Sequence, residues 1–201
     1  MPGCELTQEQ IQRAVDFHGH WCPGLAIGLR AGEYVLNHLG RSEDEEIVAL
    51  VETDMCAVDG IQALTNCTFG KGNLIYKDHG KMAFTFFRRA DQAGVRLVFN
   101  IDRLASPGSE FTELTQQWLR DEISPEDKAR LMDMRNARAT DIMESPLDEL
   151  FAIKQPNVPM PRKARILASL VCDQCGESVM ESRTRRLEGR TLCIPCFEAQ
   201  G

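Results

Sequence analysis

Two histidines and a cysteine occupy alternate positions in the segment FHGHWCPG, residues 17–24. In an extended backbone, alternate side chains project to the same face, so His18, His20 and Cys22 would point in one direction. Imidazole and thiolate are ligands that zinc and other late transition metals prefer. Pro23 favours an extended Cys22 and suits the first position of a helix, whose dipole favours a thiolate. The pattern predicts a site for zinc or another divalent transition metal; the alternative is that these side chains pack in the core.

Cys56 is a second candidate because of the elements that flank it. A β-branched apolar run at residues 47–53 predicts a buried strand, and residues 57–66 have the apolar spacing of a helix. Cys56 therefore lies at a strand-to-helix junction, where a thiolate is again favoured. Cys67 lies just past that helix and is a further candidate, followed by Lys71 in the glycine-flanked GKGN loop. Lys71 could hold an anionic group of a substrate, or the loop could be a plain tight turn.

Together these residues predict a metal site that can do chemistry. Two thiolates and one or two imidazoles leave a coordination position open for water or substrate, as in catalytic metal sites. Cys56 or Cys22 would act as ligand or nucleophile, and His18 or His20 as ligand or proton carrier. A single buried thiol is more often part of the core, so that role stays open for Cys56.

Four cysteines near the end of the sequence have the spacing of a structural zinc site. They form two Cys-x2-Cys pairs separated by 17 residues: Cys172, Cys175, Cys193 and Cys196. A closed shell of four thiolates leaves no open position, so we assign this module a structural role and no catalysis. A redox dithiol or an iron–sulfur cluster is the alternative. Residues 178–192 are predicted to form a hairpin around Glu188 and Gly189, with a short helix after the last cysteine.

Hydrophobic periodicity predicts the elements around these sites. Helices are predicted at residues 7–15, 24–39 and 57–66, and strands at 47–53, 74–76, 81–88 and 95–101. Thr7 and Gln10 fit a capping box at the first helix. Residues 110–144 have a charged helical pattern, with a new helix start at Ser124 and Pro125.

A proline-rich segment divides the sequence. Residues 145–161 contain four prolines and indicate a linker between two domains, residues 1–160 and 161–201. The long charged helical region before this segment favours a homodimer.

Composition and charge limit the classes of function. The 201 residues carry a formal net charge of −7, which argues against nonspecific nucleic-acid binding by the core. The arginine-rich hairpin of the zinc module could contact a partner or nucleic acid there, or be a solvated charged face. No apolar run reaches the ~18 residues of a membrane helix, and residues 1–10 lack the pattern of a signal peptide. We expect a cytoplasmic protein whose eight cysteines are metal ligands or reactive thiols, not disulfides.

Three features resemble one known family. The segments FHGHWCPGLAIGLRAG and ETDMCAVDGIQALTNCTFGKGNL, followed by a four-cysteine finger, closely resemble the FmdE-like family, named for the FmdE component of formylmethanofuran dehydrogenase. The resemblance covers residues 10–100 and the finger. It implies an α+β fold: a mixed β-sheet flanked by helices, described as thioredoxin-like, followed by a small treble-clef zinc finger. It also implies a site that can bind metal, at the positions His18, His20, Cys22, Cys56 and Cys67.

The resemblance and the residues together suggest three classes of function. The first is an enzyme, or a component of one, that acts on a C1 or acyl-type substrate. The second is an accessory protein that handles metal or sulfur for a molybdenum or tungsten oxidoreductase of the formylmethanofuran dehydrogenase type. The third is a regulatory protein that acts through its zinc finger, without turnover of its own. The sequence leaves open whether the chain is itself an enzyme.

Overall fold

The computed structural model describes residues 3–103 and 108–200. The chain forms two compact units, Met1–Lys163 and Ala164–Gly201, so the first unit ends at residue 163 where the sequence suggests 160. The helices of the first unit are α1 (Gln8–His18), α2 (Pro23–His38), α3 (Ala57–Thr65), α4 (Ser109–Leu119), α5 (Pro125–Glu144) and α6 (Leu147–Leu150). Its strands are β1 (Ile47–Val51), β2 (Leu74–Tyr76), β3 (Ala83–Arg88), β4 (Gly94–Phe99) and β5 (Phe151–Lys154).

The first unit is built on a five-stranded mixed sheet in the order β2-β1-β3-β4-β5. Strand β1 lies between β2 and β3: Ala49 pairs in parallel with Leu74 of β2 and antiparallel with Phe86 of β3. One face of β1, including Ile47 and Val51, packs into the same core as α2 and α3. The expected α+β fold, a mixed sheet flanked by helices, is therefore confirmed; its description as thioredoxin-like stays a prediction.

The proline-rich segment is not the plain linker that its composition indicates. Residues 147–154 form α6 and β5, and β5 pairs antiparallel with β4, for example Ile153 with Leu97. Further along, Met160 packs against a small apolar cluster on the sheet that includes Val48 and Phe87. The four prolines make this segment look like a linker in its composition. The strand β5 has only four residues and is defined by its pairing with β4, so composition does not predict it.

Helices α2 and α3 cross at two glycines. A Cβ atom added at Gly28 would lie 2.0 Å from the carbonyl oxygen of Ala57, and one added at Gly60 would lie 2.8 Å from the amide nitrogen of Leu29. Both values are below real Cβ contacts, so only glycine allows the two backbones to approach this closely. Because α2 begins just after Cys22 and α3 just after Cys56, this crossing determines how close the two thiols come.

The other helices follow their local signals, with one difference. The capping box of Thr7 and Gln10 is present, but α1 continues to His18 and does not end at residue 15. The helical pattern at residues 110–144 is two helices, and the second has the predicted cap: the Ser124 hydroxyl accepts a hydrogen bond from the Asp127 amide. Across the described residues, no helix combines the length and apolar character needed to cross a membrane.

The second unit consists of two hairpins and a short helix. Its elements are β6 (Ser169–Val171), β7 (Ser178–Met180), β8 (Thr184–Leu187), β9 (Arg190–Cys193) and α7 (Ile194–Glu198). The turn at Glu188 and Gly189 is confirmed, since Leu187 pairs with Arg190. The single hairpin predicted for residues 178–192 is wrong, because β7 pairs instead with β6. The last helix begins at Ile194, so Cys196 lies within it and not before it.

Candidate metal centres

Four side chains with metal-binding atoms meet where α1 ends and where α2 and α3 begin. One donor atom each from His18, His20, Cys22 and Cys56 lies within 4.8 Å of all the others. We call these four residues the His/Cys cluster. Nitrogen and sulfur donors at this mutual distance suit a zinc-class ion. The cluster combines four of the five positions that the sequence suggests.

The chain reaches the cluster by a helix end and a turn, which corrects the extended geometry expected for the whole segment. His18 is the last residue of α1, and Gly19 follows with φ 92°, a left-handed conformation that ends the helix. The backbone is extended at Cys22, as predicted, with φ −160° and ψ 164°. The Cys22 sulfur caps α2 by accepting a hydrogen bond from the Leu25 amide at 3.3 Å.

Cys56 stands at the N-terminus of α3 but makes no side-chain capping bond. Burial raises the pKa of its thiol, and the neighbouring Cys22 acts in the same direction. This is opposite to the thiolate expected at a helix N-terminus. A bound cation reverses the balance, because a coordinated thiol loses its proton.

The orientation of His18 is determined by a carboxylate. Its Nδ1 is hydrogen-bonded to Oδ2 of Asp59 at 2.7 Å, while its Nε2 lies 3.7 Å from the Cys22 sulfur. The other oxygen of Asp59 accepts a hydrogen bond from Gln62 at 3.2 Å. When Nδ1 is hydrogen-bonded to a carboxylate, the lone pair of Nε2 is free to bind a metal ion. This is the usual arrangement of a metal-bound histidine.

Asp59 and Gln62 have a role that the sequence analysis does not assign. They follow Cys56 at intervals of three residues on α3, so all three lie near one face of that helix. That spacing is the signal available in the sequence. It does not identify His18 as the partner, because His18 belongs to another helix.

His20 is the exposed member of the cluster. Its ring centroid lies 4.4 Å from that of His18, with an angle of 37° between the planes. Partial burial lowers the pKa of His20, and the nearby His18 and Arg135 lower it further. The neutral ring that this favours is the form that binds a metal.

An open cleft adjoins the cluster. It has a volume of about 410 Å³, within the range of small-molecule sites. His18 and Cys56 form part of its wall, and buried Val51 and Leu74 form an apolar part. Exposed Phe69 also lines it. The cluster therefore lies beside a space that a small ligand could enter.

Two predicted site residues lie elsewhere. Cys67 is fully buried, and its thiol donates a hydrogen bond to the Ile47 carbonyl at 3.5 Å, so it is not brought to the cluster. The Lys71 amine donates to the carbonyl oxygens of Glu43 and Asp44 and does not line the cleft. Both residues stabilise local structure, because each binds backbone carbonyls of the segment that precedes or begins β1.

The second unit has its own cluster of four donors. The sulfur atoms of Cys172, Cys175, Cys193 and Cys196 all lie within 4.8 Å of one another. The amides of Cys175 and Cys193 hydrogen-bond to the Cys172 sulfur and lower its pKa to about 6. The hydrogen bond with Cys193 and burial raise the pKa of Cys196 to about 12. Four thiols of this kind ionise together only around a cation, which a zinc ion supplies.

These features define the class of protein: an α+β unit with a His/Cys cluster beside a cleft, joined to a four-cysteine zinc-finger module. The model of the family "FmdE, Molybdenum formylmethanofuran dehydrogenase operon" matches residues 17–152. This chain therefore belongs to the FmdE family. The model "Prokaryotic dksA/traR C4-type zinc finger" matches residues 165–200, and with the four-cysteine cluster it supports a structural zinc ion.

Two relatives extend this comparison. The chain is 36% identical over 203 residues to a "Probable S-adenosyl-L-methionine-binding protein" of Archaeoglobus fulgidus. That match covers 97% of this chain but 54% of the relative, so this chain spans about half the relative's length. A crystal structure of an FmdE-like protein from Syntrophus aciditrophicus, named for the tungsten formylmethanofuran dehydrogenase, superposes with a TM-score of 0.61. It is 22% identical and the match covers 99% of this chain and 98% of that one, which shows that the fold is shared.

Proposed function

We propose that the first unit binds one zinc-class transition-metal ion through His18, His20, Cys22 and Cys56, next to a small substrate in the adjoining cleft. The observation that carries this proposal is the convergence of four nitrogen and sulfur donors, one of them oriented by a carboxylate. Ordinary core packing explains a buried cysteine, but it does not explain an exposed histidine beside two thiols and a buttressed imidazole.

The residues have distinct roles in this proposal. Cys22 is 1% exposed and caps α2, so it acts as a ligand only. Cys56 lines the cleft and can act as ligand or nucleophile toward a substrate. His18, held by Asp59, is a ligand or proton carrier, and exposed His20 is the donor that most easily gives way to a substrate. A divalent ion held there supplies a Lewis acid for a carbonyl-type C1 or acyl group.

The biological setting follows from the family. The matching family model is named for the molybdenum formylmethanofuran dehydrogenase operon, and the similar solved structure for the FmdE component of the tungsten enzyme. These names support the proposal that the chain is a subunit or accessory of a C1 oxidoreductase of this type. Its cytoplasmic location and its assembly as a homodimer stay predictions from the sequence. The name of the Archaeoglobus fulgidus relative adds S-adenosyl-L-methionine as a candidate ligand, although the matched region covers 54% of that protein.

The alternative function is a carrier of metal or sulfur, or a regulator acting through the zinc finger, without turnover. The exposed position of His20 favours a carrier, because an exposed ligand exchanges readily. Regulation through the finger predicts instead that the His/Cys cluster can be removed without loss of function.

Elemental analysis of protein purified without oxygen tests the proposed metal site. The unaltered protein should contain two metal ions per chain, and Cys22→Ser should contain one. Serine keeps an oxygen that can cap α2, so the substitution removes a ligand with little loss of helix stability. Cys67→Ala is the matched control: it removes a buried thiol outside the cluster and should retain two ions. One ion in the unaltered protein, or two in Cys22→Ser, would contradict the proposal.

A further inference from the structure

The cleft beside the His/Cys cluster is acidic. Asp54 and Asp59 both line it, and among the described residues of its wall none is a lysine or an arginine. Lys71, the cation expected there from the sequence, is hydrogen-bonded to the carbonyls of Glu43 and Asp44. The wall therefore offers negative charge to a ligand and no fixed positive charge.

A bound metal ion would not cancel this charge. In the proposed site, the thiolates of Cys22 and Cys56 neutralise the two positive charges of a divalent ion. The carboxylates of Asp54 and Asp59 then remain as the net charge of the cleft. An anionic ligand such as a carboxylate or phosphate is repelled, whereas a cation is attracted.

Tyr76, at the edge of the cleft, responds to the same charges. Partial burial and then the carboxylates of Asp78 and Asp54 raise the pKa of its hydroxyl. A raised pKa is the expected effect of negative neighbours on a group that becomes an anion. This agrees with the charge count of the wall.

Thr53 provides a polar group without a partner. It lines the cleft and is 3% exposed. Its hydroxyl oxygen stays accessible to solvent and forms no hydrogen bond within the part of the chain that the structure describes. A hydroxyl in a cavity wall without a partner in the protein is available to hydrogen-bond a ligand there.

The rest of the wall is apolar and aromatic. Phe69 is 77% exposed and Tyr76 is 40% exposed, so each presents ring surface at the mouth of the cleft. Val51 and Leu74 are buried and line the same cleft. Aromatic faces attract cations, and apolar walls bind the body of an organic molecule.

We infer that this cleft binds an organic cation, with its positive charge toward Asp54 and Asp59 and its apolar body against Phe69 and Tyr76. A hydrogen-bonding group of the ligand meets the Thr53 hydroxyl. The inference rests on the proposed function, because it names the ligand class of the space next to the proposed metal ion. It excludes an anionic C1 or acyl substrate such as a free carboxylate.

Three small probes of the same shape test the sign of the charge. These are 2-phenylethylamine, 2-phenylethanol and phenylacetate, which are a cation, a neutral molecule and an anion at neutral pH. Each is titrated into the metal-loaded full-length protein, and affinity is read from the backbone amide shifts of Val51, Phe69 and Tyr76. The amine should bind on the order of tenfold more tightly than phenylacetate, with the alcohol between them.

Two isosteric variants distinguish an effect of charges in the cleft from an effect of the overall charge of the protein. Asp54→Asn should reduce the preference for the amine over phenylacetate at least threefold, because it removes one of about two contributing charges. Asp133→Asn removes the same charge from an exposed position on α5 outside the cleft and should leave the preference unchanged. Thr53→Val should weaken binding of the amine and the alcohol alike.

The outcomes distinguish this inference from the proposed function. Equal or tighter binding of phenylacetate, or no shift with any probe up to its solubility limit, would overturn the inference. So would an equal effect of Asp54→Asn and Asp133→Asn. Metal content is measured on the same samples. Two ions per chain with no preference for the amine would contradict this inference alone. One ion per chain would contradict the proposed metal site.

Discussion

The crossing of α2 and α3 provides the most direct test of how this fold builds its site. We consider the substitution Gly28→Ala, which adds one methyl group where the helices meet. Its Cβ would lie 2.0 Å from the Ala57 carbonyl oxygen, against 3.4 Å for an ordinary contact, so the backbones must separate by about 1.4 Å. The obstacle is backbone, which cannot rotate away as a side chain can.

The size of the effect follows from two opposing terms. Overpacking usually costs about 1–3 kcal/mol, and a clash with backbone belongs at the upper end. Alanine regains about 1 kcal/mol over glycine within a helix. The free energy of unfolding should therefore fall by about 2 kcal/mol. Because α2 begins after Cys22 and α3 after Cys56, the same separation should weaken metal binding at the His/Cys cluster.

Two controls make this prediction specific. Gly32→Ala lies on the same helix but meets the side chain of Leu64, with Cβ and Cδ1 at 3.0 Å, which requires a shift of only a few tenths of an ångström, so it should remain within about 1 kcal/mol of the unaltered protein. Gly70→Ala has no heavy atom within 4 Å and should be neutral or slightly stabilising. Urea unfolding gives the free energies, and competition with a chelator gives the metal affinity. If Gly28→Ala is as stable as Gly32→Ala and keeps its metal affinity, the reasoning about the helix crossing is wrong.

Three further predictions follow from single contacts. Asp59→Asn should keep the fold but lower metal affinity about 10–100-fold in a chelator competition, because His18 loses its orienting carboxylate; unchanged affinity would leave Asp59 with no such role. Burial raises the pKa of Cys67 from its ordinary 9.0 to about 11. Between those two values the folded state binds a proton that the unfolded state has lost, so the stability that this thiol contributes is fully present below pH 9 and lost as the pH rises through 11. Relative to Cys67→Ala, the free energy of unfolding in urea should fall by about 2–3 kcal/mol over this range. Parallel pH curves for the two proteins would refute this. Cys175→Ala should unfold the second unit while the amide spectrum of the first unit persists, since zinc supplies much of the folding energy of such modules; a spectrum with both units intact would contradict structural zinc.

Chemistry that depends on local spacing can be read from the sequence. The two Cys-x2-Cys pairs indicate a zinc module because each pair brings its thiols together within one turn of chain. The extended Cys22 before Pro23 and the caps at Thr7 and Ser124 are equally local, and all three are confirmed. Each depends on neighbours within a few residues, so it can be predicted without knowledge of the tertiary fold.

The choice between Cys56 and Cys67 depends on tertiary structure. Both are cysteines at an end of α3, and residue type alone does not distinguish them. The crossing at Gly28 brings the N-terminus of α3, with Cys56, to the start of α2. Cys67, beyond the other end of α3, instead reaches the backbone of Ile47.

The same reason explains what the sequence does not show about the rest of the site. The contact between His18 and Asp59 spans 41 residues, and strand β5 is defined by pairing with β4 about fifty residues earlier. Lys71 is of the right type for an anion site, yet its position directs it to a backbone loop. The sequence by itself determines which donors are available and where helices begin. Only the packing of helices against one another and of strands into a sheet decides which donors meet, because those distances depend on residues far apart in the chain.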